Sequence, residues 1–210
     1  MLATTITSAA SVEQLSVTFG LPVVMLNPTT LQGIVSDVQL VSTIFPSVSS
    51  TANALVSSLN VQLNNASNFD SNLSTNGVVL PTLLLTYYYD QGGYYTYGPD
   101  TFGQSLIDAL GAVNVAGDSP LVYYELNGSV VLEDNPQVIL YGTSWNDAWL
   151  VGNETPSEWA SPTYGAPYWS QLNGTKVALD VTLVSEPDPT LILDLPWLLH
   201  AVHPTLYPSP

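Results

Sequence analysis

Short apolar runs alternate with helix-patterned stretches along this chain, and that alternation restricts it to an α/β fold with a mostly parallel sheet. Residues 2–6 form a predicted strand, residues 11–19 a short helix closed by Gly20, and residues 21–26 an apolar strand ended by Asn27 and Pro28. Thr29 or Thr30 can cap the next helix. In that helix Leu31, Ile34, Val35, Val38, Val41 and Ile44 recur at helical spacing until Pro46 stops it. A further helix is predicted over residues 50–64, with Ala54, Leu55, Leu59 and Leu63 as its buried stripe. The polar run over residues 64–76 reads as a linker.

A second α/β series comes next. A strand is predicted over residues 78–89, with Pro81 near its start, where a missing N–H does least harm, and with the turn cluster Asp90-Gln91-Gly92-Gly93 at its exit. After Tyr95-Thr96-Tyr97-Gly98 comes a helix over residues 100–110 ended by Gly111. Asp100 is the expected cap of its free N–H groups. A short helix over residues 130–134 and a strand over 138–141 come next, then a loop and short helix over 162–172. A strand over 177–184 and a closing helix over 189–202 complete the series, with Pro196 as a kink or boundary.

Charge narrows the partners. Seventeen acidic residues face one basic residue, Lys176, with no arginine, for a formal net charge of −16. Binding to nucleic acid or to an anionic membrane surface is excluded, because both rest on lysine and arginine. Only 9% of residues are charged, too few for halophilic acidity. Such a chain suits acid, since carboxylates with unperturbed pKa values of about 3.9 and 4.3 lose charge near pH ~3, and few cations remain to repel one another. Hydrophobic residues make up 46% of the chain and its mean hydropathy is +0.23, enough for a core. No cysteine is present, so disulfides, thiolate metal sites and lipidated cysteine are ruled out for this sequence. Five Asn-x-Ser/Thr sequons begin at Asn65, Asn72, Asn127, Asn153 and Asn173, in keeping with an exported, glycosylated protein. Apolar runs fall short of the ~18 residues of a membrane span. No basic segment precedes an apolar run at Met1, so no signal peptide is read there.

Four segments carry a specific likeness: YTYGPDTFGQSLIDALGAVNVAG (residues 95–117), NPQVIL (135–140), YWSQLNGTKVALD (168–180) and LLHAVHPTLYP (198–208). In order and spacing they resemble the extracellular solute-binding proteins that deliver ferric siderophores, heme or cobalamin to an ABC importer. The resemblance implies two Rossmann-like lobes bridged by a long helix. It divides the chain into a partial first lobe (residues 1–46), the interlobe helix with its linker (47–75) and a second lobe (76–210). It also implies that the chain begins partway through the first lobe, which accommodates export without a signal at Met1.

Open parallel sheets take ligands beyond the carboxyl ends of their strands, so the connections after Tyr89, Tyr141 and Val184 are the places to inspect. Tyr94, Tyr95 and Tyr97 could stack against a flat ligand while their phenols meet its polar edge; the alternative is that these rings pack under the loop. The resemblance adds Tyr123 and Tyr124, where relatives often carry an aromatic against the ligand. Trp145 and Trp149 come after the NPQVIL strand and could line the same mouth, with ordinary packing as the alternative for all four. The family usually has a permease-docking glutamate seven residues before the proline of its Asn-Pro motif. Here that position is Ser129, flanked by Glu125 and Glu133 as substitutes. Thr190 stands where many relatives have arginine, and without guanidinium groups the recognition of anions gives way to stacking and neutral hydrogen bonds.

His200 and His203 could share a metal by spacing, but His203-Pro204 falls in the family's common ending and is assigned a structural role. No nucleophile elbow, phosphate loop or His-Glu-x-x-His motif occurs, so no enzyme and no cofactor are expected. The expected partners are an ABC permease and a small metal chelate or corrinoid. The rival reading is a cell-surface structural or adhesive protein that keeps the fold without transport, and a lone α/β enzyme domain is a third. The charge inventory generates a test of its own: near-UV circular dichroism at pH 3 should match that at pH 7. Loss of the tertiary signal in acid would contradict the acid-habitat reading.

Overall fold

In the computed structural model, residues 2–4, 9–20, 22–143, 155–163 and 165–209 are described. Strands β1 (Leu2–Thr4) and β2 (Val24–Leu26) pair in parallel across helix α1 (Ala9–Phe19), with Leu2 opposite Val24, and form their own two-stranded sheet. Gly20 closes α1 with φ +62°, a left-handed conformation that costs glycine little. Thr30 begins α2 (Leu31–Ile44) by accepting from the Gly33 N–H at 3.0 Å, and the Leu31 N–H bonds Ser105 Oγ at 3.1 Å across to the second half of the chain.

A 3₁₀ turn (Pro46–Val48) leads into α3 (Ser49–Thr75), 27 residues and about 40 Å long. The linker expected over residues 64–76 is therefore helix almost to its end. Asparagine and serine dominate that stretch and have weak helix propensity, but Leu59, Ala66 and Leu73 recur at seven-residue spacing and are almost wholly buried. Packing against α4 (Phe102–Ala109), α8 (Pro189–Leu193) and α9 (Leu195–Val202) overrides the propensity. Ser71 and Thr75 hydroxyls turn back onto the Ser67 and Ser71 carbonyls, which absorbs their polarity on the exposed side.

The larger sheet has the order β6-β4-β3-β7-β8, with β5 (Val113–Asn114) beside the start of β3. Strands β3 (Thr82–Tyr89), β7 (Val138–Thr143) and β8 (Thr175–Asp180) run parallel, with Leu85 opposite Leu140 and Leu140 opposite Val177. β4 (Gly93–Tyr97) turns back antiparallel to β3, and β6 (Tyr123–Asn127) is antiparallel to β4. Among the described strands of this sheet, β4 alone runs against the rest, so the mostly parallel α/β arrangement holds.

Four boundaries differ from expectation. Residues 93–97 are a strand rather than a ligand-facing loop. Thr101, not Asp100, caps α4: its Oγ1 accepts from the Gln104 N–H at 3.0 Å, while Asp100 sits in the left-handed region at φ 61°. The strand expected over residues 177–184 stops at Asp180, whose Oδ1 accepts from the Thr182 N–H and starts α7 (Val181–Ser185). The closing helix is divided into α8 and α9 at Asp194, leaving Pro196 in the first turn of α9, where its missing N–H breaks nothing.

Both faces of the sheet are covered. Leu83, Leu85, Leu140 and Leu179 face α3, α4, α7 and α9, whereas Leu84, Ile139 and Tyr141 face α5 (Gly128–Asp134), α6 (Pro156–Trp159) and the segment around the 3₁₀ turn Trp169–Gln171. The continuity of α3 can be tested at exposed Asn68, inside the stretch expected as a linker. Asn68→Pro removes a helical hydrogen bond and should cost about 3 kcal/mol or more in chemical denaturation, where a linker would absorb it unchanged.

Candidate functional site

A bulge places the tyrosines. Thr86 pairs with Thr96, but the next pairing is Tyr88 with Tyr95, so Tyr87 is the extra residue in β3. The bulge reverses the alternation: Tyr87 packs with the helical layer around Tyr97, while Tyr89 joins the opposite layer. Buried threonines satisfy the disturbed backbone, with Thr96 Oγ1 donating to the Leu85 carbonyl at 2.7 Å and Thr86 Oγ1 donating toward the Tyr88 and Tyr95 carbonyls.

The consequence corrects the expected ligand contacts. Tyr94 is 0% exposed and lies in an aromatic cluster with Tyr89, Tyr141, Trp159 and Trp169; ring centroids are 4.5 Å apart for Tyr89 and Trp159 and 4.9 Å for Tyr141 and Trp169. Its hydroxyl donates to the Pro167 carbonyl at 2.5 Å, the Tyr89 hydroxyl to the Glu158 carbonyl at 3.1 Å, and Trp159 Nε1 to the Gly142 carbonyl at 3.0 Å. Tyr97 is 1% exposed, lies against Phe102 and donates to the Val184 carbonyl. Burial pushes the Tyr94 and Tyr97 phenols far above the usual range, so both stay neutral donors. Tyr95 is half-buried and donates to Asp90 Oδ2 at 3.2 Å, in the hairpin turn that Asp90 also caps through the Gly92 and Gly93 N–H groups. Those three backbone and phenol donors, the Gly92 N–H foremost, lower the Asp90 pKa.

A cleft of about 730 Å³ opens elsewhere, between the two sheets. One wall is the end of β2 with Ile34, Val38 and Val41 of α2 and Ala52 and Leu55 of α3; the other is Phe102, Tyr123 and residues 185–189. Of the three connections singled out for inspection, the one after Val184 lines this cleft. The one after Tyr89 is the hairpin. β7 runs two residues past Tyr141 to Thr143, and residues 144–154 lie outside the described residues. Two caps define the cleft-lining segment: Asp180 starts α7, and Asp188 accepts from the Thr190 N–H at 2.7 Å to start α8. Tyr97 fastens it from beneath through the Val184 carbonyl.

Tyr123 is the predicted tyrosine that reaches the cleft; it is 56% exposed and its ring centroid is 5.5 Å from that of Tyr97. Tyr124 points the other way and packs against the aromatic cluster. Trp145 and Trp149 lie outside the described residues. Ser129, Glu125 and Glu133 are exposed on β6 and α5, away from the cleft lining; the Ser129 N–H and hydroxyl both bond Asn127 Oδ1. His203 Nε2 lies 2.8 Å from the Leu110 carbonyl and His200 Nδ1 2.9 Å from the Tyr207 carbonyl, so both rings tie down the chain end.

For the site, the sequence reading singled out none of the α2 and α3 residues that line the cleft, Asp37 among them. Asp37 faces the cleft from α2, and its Oδ2 is buried without a hydrogen-bond partner. Nothing in the helical pattern distinguished it from an ordinary polar position. Asp37 has its pKa raised by burial. Glu186 and Asp188 add two more carboxylates to the lining, and among the described residues no cation joins them.

With the geometry in place, comparison with known proteins identifies the fold. No protein-family model matches the chain. A cobalamin-binding protein of Halobacterium salinarum is 29% identical over 122 residues, which cover 56% of this chain and 32% of that protein. The chain thus matches about a third of that relative's length. Among solved structures, a periplasmic heme-binding protein from Pseudomonas aeruginosa superposes with a TM-score of 0.74 at 19% identity, over 98% of this chain and 72% of that one. The periplasmic vitamin B12-binding protein of Vibrio cholerae gives 0.65 at 14% identity, over 96% and 72%. The chain has the fold of the ABC-importer solute-binding proteins that its motifs resemble. These neighbours are named for what they bind, not for a reaction. Among the described residues no helix is long and apolar enough to cross a membrane.

The raised pKa of Asp37 carries a signed prediction. The folded state holds this proton to higher pH than the unfolded chain, so stability falls as pH rises from the unfolded carboxylate range through the folded pKa. Asp37→Asn removes the charge and should melt above the wild type at pH 7, with the gap closing as pH drops below about 4. An equal melting difference at every pH would refute this.

Proposed function

We propose that the protein is the extracytoplasmic substrate-binding component of an ABC importer for iron complexes, either siderophore or heme, or for cobalamin. The observation that carries this reading is the cleft between the two sheets. Its volume of about 730 Å³ falls within the roughly 300–1,000 Å³ usual for small-molecule sites. Ile34, Val38, Val41, Leu55 and Phe102 supply apolar walls against which a macrocycle or chelate can lie, and Tyr123 and the segment 185–189 close the opposite side.

Binding needs no chemistry on the ligand. The long helix α3 packs against α2 on one side of the cleft and against α4, α8 and α9, and ligand held in the cleft presents a combined surface to a membrane partner. Exposed Glu125 and Glu133, with Ser129 between them, are the proposed permease-docking positions. Carboxylates there would meet basic groups on a permease, an attraction that weakens with salt and with acid.

Equilibrium dialysis with visible absorbance as the readout tests the assignment, because heme, corrinoids and ferric hydroxamates are all coloured. Saturable binding of one of them is expected. Val41→Trp, which fills the cleft from α2, should weaken it by about tenfold or more, equivalent to about 1.4 kcal/mol. Failure of all three ligand classes against the folded full chain would favour the surface structural role instead.

A further inference from the structure

The cleft combines an apolar interior with a one-signed rim. Asp37, Glu186 and Asp188 line it from opposite walls. The sequence offers little to neutralise an anion there. It has no arginine, and its sole lysine, Lys176, donates to the Leu172 carbonyl at 2.5 Å and lies 5.3 Å from the Trp169 ring centroid, in the layer on the other side of the large sheet. Both histidines are engaged with backbone carbonyls at the chain end.

The second observation is the Asp37 side chain, which lines the cleft while its Oδ2 is buried with no donor to meet it. A carboxylate with one oxygen stripped of water and unpaired is costly to keep charged, whereas an N–H reaching the group from the cleft with a ligand would offset that cost on binding. Asp188 differs, because it is already satisfied by the Thr190 N–H and hydroxyl. Glu186 is exposed to solvent, so the partly desolvated, unpaired carboxylate of the lining is that of Asp37, on α2.

We propose that the cleft selects a ligand of zero or positive net charge whose periphery carries N–H donors, and that Asp37 accepts one of them. This rests on the binding reading given above and narrows it to a chemical class: amide-fringed or ammonium-bearing chelates and macrocycles, with carboxylate-fringed or catecholate ones rejected. Repulsion by three carboxylates through a partly apolar medium sets the expected discrimination at about thirtyfold or more.

The test uses ligands matched in framework and opposed in charge. One pair is cyanocobalamin, a neutral corrinoid fringed with amides, and cobyrinic acid, the same ring fringed with carboxylates. The other is ferrichrome, a neutral tris-hydroxamate with a peptide ring, and ferric enterobactin, a tris-catecholate trianion; heme, with two propionates, is a further anionic probe. In the pair that binds, the neutral member should bind at least about thirtyfold tighter to the wild-type chain at pH 7. Asp37→Asn should weaken the neutral ligand about fivefold, and Glu186→Gln, where the α7 C-cap is made by the backbone N–H and not by the side chain, should narrow the gap between the two. Unchanged melting curves for Glu186→Gln keep the result separate from unfolding. An anionic ligand held as tightly as its neutral counterpart, or tighter, overturns the charge selection while leaving the binding function intact. Silence from all five probes removes both.

Discussion

The bulge at Tyr87 is the constraint on which the arrangement of the large sheet and its two covering layers depends. Up to Thr86 the central strand alternates in the usual way, and Leu83, Leu84 and Leu85 are all wholly buried because the sheet is covered on both sides. One extra residue then reverses the direction of everything beyond it. Tyr89 is delivered to the layer that holds Trp159 and Trp169. Across the hairpin, Tyr94 faces that same layer and Tyr97 the other. The hydroxyls of Thr86 and Thr96 make this tolerable by giving the displaced carbonyls a donor where water cannot reach.

Tyr89, Tyr94 and Tyr97 are thereby committed to the core, each with its phenol on a backbone carbonyl. Their work is to hold distant segments: Tyr94 the loop at Pro167, Tyr89 the helix at Glu158, Tyr97 the end of α7. The last of these connects packing to the candidate site, because the residues after Val184 form one wall of the cleft. The opposite wall belongs to α2 and to the start of α3, whose buried stripe continues along the helix that packs on α4, α8 and α9. Cleft geometry is thus set by two elements anchored in one continuous hydrophobic core. Electrostatics then act on a fixed shape, and with the single lysine used on the far side of the sheet, only carboxylates among the described residues contribute charge there.

Much of this was legible in the residues. The α/β alternation, the cap at Thr30, the stops at Gly20, Pro46 and Gly111, and the structural role of the two histidines all come from local chemistry. Other features were hidden by the same locality. Residues 64–75 look like a linker because asparagine and serine are poor helix formers, and only neighbours supplied by the fold make the sparse stripe of Ala66 and Leu73 sufficient. The Tyr-rich segment looks like a ligand-facing loop because a bulge leaves no mark in a run of aromatic residues. Asp37 looks like any exposed helix position, yet in the fold one of its oxygens is buried.

The sequence by itself determined the layered class, the element order, the absence of cationic recognition and the resemblance to solute-binding proteins, since these depend on periodicity, composition and neighbouring residues. Only the tertiary structure decided where a ligand can sit. That outcome depends on which face each side chain takes after the bulge and on bringing together residues 26–55, 102–123 and 185–189. Their apposition is a property of packed layers in space, and no segment of chain encodes it alone.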